Sequence, residues 1–164
     1  MASEHSMDLG VNFDFQEMKN AVDQAKREAL NRYDLKDAGI EIDLGDESLK
    51  VTAQSENQVV AVFDIVIKKM VGRGLSSRIL DKQKMEEIGG MRVRQEAKLV
   101  KALDSENAKS LSKKIREAFP KVKPLIQGET LRVVSKSIDD LQAIRKMLSE
   151  DESVKVPLDF GNFR

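Results

Sequence analysis

The chain opens on an alternation: Met7, Leu9, Val11 and Phe13 are apolar, and Asp8, Gly10 and Asn12 separate them. Period two is the mark of a half-buried strand. Asp14 then starts a helix, with Glu17 three residues on as a capping box. Met18, Ala21, Val22, Ala25 and Ala29 recur at helical spacing, and the pattern fades near Tyr33. Ile40, Ile42 and Leu44 alternate again, Gly45-Asp46 makes a tight turn, and Leu49, Val51 and Ala53 return. Ser55 caps an apolar helix through Val59, Phe63, Val66, Ile67 and Met70, which Gly72 and Gly74 end. Residues 75–90 are polar and mixed, broken by Gly89-Gly90, and read as the least regular stretch. Val93, Ala97 and Leu99 then oppose Arg92, Arg94, Glu96 and Lys98 on a further strand. Asp104 caps a helix carrying Ala108, Leu111, Ile115 and Phe119, and Pro120 stops it. Strands at 121–127 and 129–135 turn at Gly128, and Ser137 caps a helix through Leu141, Ile144 and Leu148. Val156, Leu158 and Phe160 form the last strand, with Phe160 as a core residue.

The order β-α-β-β-α-β-α-β-β-α-β predicts an α+β fold of two ferredoxin-like units. The two halves also repeat. Glu47-Ser48-Leu49-Lys50-Val51 matches Glu129-Thr130-Leu131-Arg132-Val133 at an offset of 82, and the caps Ser55 and Ser137 share that offset. Asp14 matches Asp104, and Lys26-Arg27-Glu28-Ala29 matches Ile115-Arg116-Glu117-Ala118, at offsets of 90 and 89. Two matched segments in one order favour duplication over convergence on a good hairpin.

Composition changes this picture little, but charge adds to it. The chain has 28 basic and 28 acidic residues. Residues 1–88 hold 12 Lys/Arg against 17 Asp/Glu, and residues 89–164 hold 16 against 11. Long-range attraction would therefore bring an anion to the second half; mutual attraction of the halves explains the same asymmetry equally well. No apolar run approaches the roughly 20 residues of a membrane span, and no basic-then-apolar leader opens the chain. The absence of cysteine excludes disulfides and thiolate metal sites, and it fits a cytoplasmic protein.

Catalytic chemistry is sparse. His5 is the only histidine and falls in an expected solvated tail. No phosphate-loop, nucleophile-elbow or dinucleotide fingerprint occurs. Asp139-Asp140 suits a hard cation less well than it suits the dipole of the helix it begins. The expectation is a non-enzyme with no cofactor and no metal. Cations are plentiful: Lys109, Lys113, Lys114, Arg116, Lys121 and Lys123 fall within 15 residues, and Arg92, Arg94, Lys98 and Arg132 take outward strand positions. Such clusters meet phosphate, although a charge run on a helix is more often its wet face. The third-strand segments Glu47 to Gln54 and Glu129 to Lys136 carry no aromatic residue, which disfavours RNA stacking on the sheet. Phe163 near the end of the chain is a candidate to stack a base.

Several segments, in order along nearly the whole chain, resemble the YajQ family. They are Met7-Asp8, Asp14-Phe15-Gln16-Glu17, Asn20-Ala21-Val22, Arg32-Tyr33-Asp34 with Lys36, Arg94-Gln95-Glu96-Ala97-Lys98-Leu99, Ile126-Gln127-Gly128-Glu129, Asp139-Asp140-Leu141-Gln142 and Asn162-Phe163-Arg164. The resemblance implies two ferredoxin-like domains that exchange their N-terminal strands. Residues 14–100 would form one domain, with helix 14–33, strands over 39–54, helix 55–72 and strand 91–99. Residues 1–13 with 101–164 would form the other, the first strand pairing there. The resemblance also implies a nucleotide-binding protein; cyclic di-GMP, GTP and tRNA are ligands described in the family, and no catalytic activity is established for it. Ahead of Asp139-Asp140 the family has glycine and basic residues, whereas this chain has Ser135-Lys136-Ser137-Ile138 and keeps only Lys136. The nucleotide-contact candidates are Arg92, Arg94, Lys98, Arg132, Lys136, Phe163 and Arg164. The expected function is a cytoplasmic bacterial nucleotide-binding protein and cyclic di-GMP effector, with ATP and GTP as further candidate ligands. An RNA- or tRNA-binding module and an adaptor for a protein partner are the alternatives; no membrane partner is expected.

Overall fold

A computed structural model describes residues 4–164. Its strands are β1 (His5–Val11), β2 (Glu41–Leu44), β3 (Ser48–Ala53), β4 (Leu80–Lys82), β5 (Glu86–Ile88), β6 (Arg92–Leu99), β7 (Lys123–Gln127), β8 (Thr130–Ser135) and β9 (Leu158–Gly161). Its helices are α1 (Phe15–Asn31), α2 (Glu56–Gly72), α3 (Ser105–Ala118) and α4 (Ile138–Glu150), with one 3-10 turn at Ser77–Ile79. Two compact units result: Phe13–Val100, and Met1–Asn12 with Lys101–Arg164.

Within Phe13–Val100 the sheet order is β2-β3-β6-β4, every neighbouring pair antiparallel. The first strand slot of a ferredoxin-like sheet, beside the third strand, is filled by β6. In the other unit the order is β7-β8-β1-β9, again antiparallel, and β1 fills that slot. The fold is therefore two ferredoxin-like α+β domains with exchanged N-terminal strands. Alternation decides which face of each strand is buried. Leu49, Val51 and Ala97 point at the helices and are fully buried, as are Met7, Leu9, Leu131 and Val133 in the second unit.

The two helix layers differ. α1 and α2 lie against each other over Met18, Val22, Ala25, Phe63, Val66 and Met70, and Glu17–Arg73 (2.9 Å) and Glu28–Lys69 (3.1 Å) link them at the surface. In the second unit Lys114 of α3 reaches Asp151 (2.8 Å) and the Ser153 hydroxyl beyond the end of α4. Those bonds hold the Asp151 carboxyl far below its ordinary range. The remaining lysines of α3 lie on its wet face, because Ala108, Leu111, Ser112 and Ile115 form its buried one.

Local chemistry explains the helix ends. Asp14, Ser55, Asp104 and Ser137 each accept a backbone N–H of the first turn, satisfying donors that have no partner within the helix. Glu17 does not close a capping box; its carboxylate faces Arg73 instead. α2 ends in a Schellman motif: Leu75 N–H donates to Met70 C=O and Gly74 N–H to Val71 C=O, with Gly74 at φ +80°. A Cβ at Gly74 would meet nothing within 4 Å, so a side chain there is penalised by backbone conformation alone. Gly74→Ala is expected to lower unfolding free energy by about 1 kcal/mol. Gly72→Ala, at an ordinary helical position, is expected to raise it by up to about 1 kcal/mol. Urea midpoints moving in opposite directions at constant slope would bear this out, and equal shifts would refute it.

Three further sequence expectations change. Residues 75–90 hold β4 and β5, and β4 closes the sheet edge; three residues each are too few for alternation to register. His5 is not in a tail but begins β1, half-buried. The charge asymmetry also dissolves. Assigning residues 1–12 and 101–164 to one unit gives it 13 Lys/Arg against 12 Asp/Glu, and leaves 15 against 16 in the other. The contrast between halves came from cutting the chain across the exchanged strands.

Candidate functional site

A cleft lies in the unit built on β1 and α4. It has a volume of about 400 Å³ and is lined by His5, Ser6, Ile138, Leu141, Gln142, Arg145, Phe163 and Arg164. Ile138, Gln142 and Arg145 recur at i, i+4 and i+7 and therefore share one face of α4. Leu141 is buried at the floor, whereas Ile138 is 50% and Phe163 51% exposed. The Arg145 guanidinium sits 5.8 Å from the centroids of both the Phe160 and the Phe163 rings. Phe160 is thus half-buried and shared with Arg145, not a fully buried core residue.

A clasp on β1 sets the position of the last residues. Asn162 adopts φ +50° and turns the chain after β9; asparagine tolerates this left-handed conformation better than most residues. Its amide donates to Asp8 Oδ2 (3.0 Å). Ser6 and Arg164 then exchange backbone hydrogen bonds of 3.2 and 3.0 Å, and His5 Nδ1 lies 3.2 Å from the Arg164 oxygen. Arg132 completes the arrangement, donating to both Asp8 oxygens at 2.9 and 3.4 Å. The Arg132 guanidinium, aided by Asn162, holds the Asp8 carboxyl below its ordinary range against the opposing effect of burial. Arg132 therefore orients the Phe163 segment through Asp8 and does not line the cleft.

The seven sequence candidates are not brought together. Phe163 and Arg164 line the cleft, Arg132 supports it, and Lys136 is exposed just before the Ser137 cap. Arg92, Arg94 and Lys98 belong to the other unit. Arg92 donates to the Gly39 carbonyl and so fastens the loop before β2. Arg94 and Lys98 line a polar depression of about 310 Å³ with Lys50, Gln83, Lys84, Glu86 and Glu96. Glu86 stands opposite Arg94 in register and Lys50 lies 3.9 Å from Glu96, so cations and anions alternate there.

Sequence reasoning missed Ile138, Gln142 and Arg145. The repeat held the signal. At the offset of 82, Val59, Val62 and Val66 correspond to Leu141, Ile144 and Leu148, all buried. Phe63, fully buried in its unit, corresponds to Arg145. One copy fills this position with core; the other opens it into a cleft with a cation near two aromatic rings.

A planar aromatic face, an apolar floor and two guanidinium groups can accept a flat heterocycle and an anion together. Among the described residues no group of three or more His, Cys, Asp or Glu side chains is arranged to hold a metal ion. No helix among them is long and apolar enough to cross a membrane. A family model described as "Nucleotide-binding protein YajQ-like" matches residues 5–164. Similar proteins include "Nucleotide-binding protein" of Chloroflexus aurantiacus, 48% identical over 165 residues. Proteins of the same name from Synechococcus sp. (strain JA-3-3Ab) and Sulfurovum sp. (strain NBC37-1) are 46% and 42% identical. All three matches cover the whole of both chains.

Proposed function

This chain belongs to the YajQ-like family of nucleotide-binding proteins, and from that premise we propose that its nucleotide occupies the cleft between α4 and the Phe163 segment. The observation that carries the reading is the pairing of a half-exposed Phe163 ring with Arg145 above an apolar floor. A purine stacks on the ring, and Arg145 and Arg164 meet its phosphates or the acceptor edge of the base. Asp139 and Asp140 in the first turn of α4 repel phosphate from that helix end, so the anion lies toward the two arginines.

The role proposed is non-catalytic binding in the cytoplasm, with cyclic di-GMP as the first ligand to test and GTP and ATP beside it. The one histidine is bonded to the Arg164 oxygen, which supports a structural use for it. The RNA reading draws less support. The open sheet faces present Asp8, Arg132 and Asp159 in one unit and Asp43, Lys50 and Arg94 in the other, with no aromatic residue among their strands' outward positions.

Calorimetric titration with the three nucleotides tests the proposal. Phe163→Ala and Arg145→Ala are each expected to weaken binding by about tenfold or more, since a stacked base contributes roughly 1–3 kcal/mol. Binding that neither substitution changes would place the nucleotide elsewhere. No heat and no thermal stabilisation at millimolar nucleotide would remove the function itself.

A further inference from the structure

The two units carry matching sheet edges, and the edges differ at one register position. β2 ends the sheet of Phe13–Val100 and β7 ends the other. Ile42 faces Val51 across its hairpin, and Pro124 faces Val133, so the two residues correspond at the offset of 82. Gly45 N–H donates to Ser48 C=O at 2.9 Å. Hydrogen-bonded pairs alternate along an antiparallel ladder, so Asp43 and Glu41 bond toward β3. Ile42 and Leu44 therefore turn their N–H and C=O outward. In the other unit the same outward position is Pro124, which has no N–H, with Lys121 and Lys123 ahead of it. Proline and lysine are the usual protection of a sheet edge. β2 has neither.

Beside this open edge lies an apolar recess of about 150 Å³, lined by Lys26, Ala29, Leu30, Ile40 and Ile42. Leu30 is 65% exposed above it. It lies on the helix side of the sheet, where an inward-pointing side chain of one more strand would fall. On the open face the side chains of β2 itself are acidic, Glu41 and Asp43, with Lys50 of β3 opposite Asp43. From residue 37 to 47 the chain carries Asp37, Glu41, Asp43, Asp46 and Glu47 and no Lys or Arg.

We propose that β2 is a strand-addition site for an extended peptide of a partner protein in which apolar residues alternate with Lys or Arg. Main-chain bonds to Ile42 and Leu44 supply affinity, one apolar side chain enters the recess beside Leu30, and the cations face Glu41 and Asp43. A second copy of this chain is the poorer occupant. Pairing β2 with β2 would set Glu41 and Asp43 against their own equivalents, and like charges across a ladder are unfavourable. The site belongs to the other unit and does not depend on the nucleotide cleft.

The test uses the full chain and a fluorescein-labelled peptide of four Lys-Val repeats, with four Glu-Val repeats as the control. The basic peptide is expected to bind and to slow amide exchange at Ile42 and Leu44; the acidic one is not. Ile42→Pro, which copies the protected edge, and Glu41→Lys with Asp43→Lys, which leaves the backbone free, are each expected to weaken binding by about tenfold or more. The charge variant keeps the test decisive if Ile42→Pro fails to fold. No binding at millimolar peptide overturns the proposal. Binding without protection of Ile42 and Leu44 overturns it as well, since charge attraction alone would then suffice. So would concentration-dependent dimerisation abolished at this edge, because the occupant would be a second copy.

Discussion

Residues 13–100 expressed alone are expected to fold with a cooperative urea transition, whereas residues 101–164 alone are expected to remain unfolded until a peptide of residues 4–12 is added. The strand exchange makes the fragments unequal. Phe13–Val100 is continuous and holds all of its own sheet, because β6 comes at its end. Lys101–Arg164 lacks β1, which lies between β8 and β9. Without it two strands lose their neighbour, and the fully buried Met7 and Leu9 are missing from the core. Truncating one such side chain to alanine costs about 2–5 kcal/mol. A unit of 76 residues has roughly 4–11 kcal/mol of stability in all, so losing both side chains and a central strand exceeds or consumes it. Circular dichroism and denaturation of the fragments check this. A cooperative transition in 101–164 alone, or none in 13–100, would sink it. A cut near residue 88 leaves neither piece whole, since it also takes β6 from the first unit.

Why the exchange was beyond the residue pattern is instructive. Alternation at Met7, Leu9 and Val11 says that one face of a strand is buried; it does not say against which strands. Only the family resemblance carried that partnership, and the register of β1 with β8 and β9 shows it. Hairpins and caps were legible because their causes are local: a serine or aspartate before a helix, a glycine in a tight turn. β4 was not, because three residues, Leu80 buried and Asp81 and Lys82 exposed, carry too little pattern. The site was legible in part. Phe163 stood out as an aromatic beside a late strand. Arg132 looked like a phosphate ligand because it points outward, yet that outward face also holds Asp8, directly opposite in register. Arg145 sat unremarked among the charges of α4, and only its correspondence with the buried Phe63 marks it.

That correspondence leads to the last expectation, that a bound nucleotide protects one unit and not the other. At a free concentration 100 times Kd, a ligand stabilises the state that binds it by about 2.7 kcal/mol. Amides that exchange only when the unit opens should then slow about a hundredfold. If the cleft is the site, the slowing falls on β1 and β8, whose Met7, Leu9, Leu131 and Val133 form the centre of that unit. β3 and β6 should keep their rates. In melting, the corresponding transition should rise by roughly 10–20 °C, because 1 kcal/mol moves a domain of this size by about 4–8 °C. Arg145→Phe separates the site from the fold. It places in α4 the residue that the other copy buries at Phe63, so the unit should stay folded while both shifts disappear. Equal slowing in β3 and β6 would mean that the two units open together or that the nucleotide sits elsewhere, and Arg145→Phe distinguishes these. Slowing that survives the substitution rules out the cleft, and slowing that it abolishes throughout the chain keeps the cleft and discards the independence of the units.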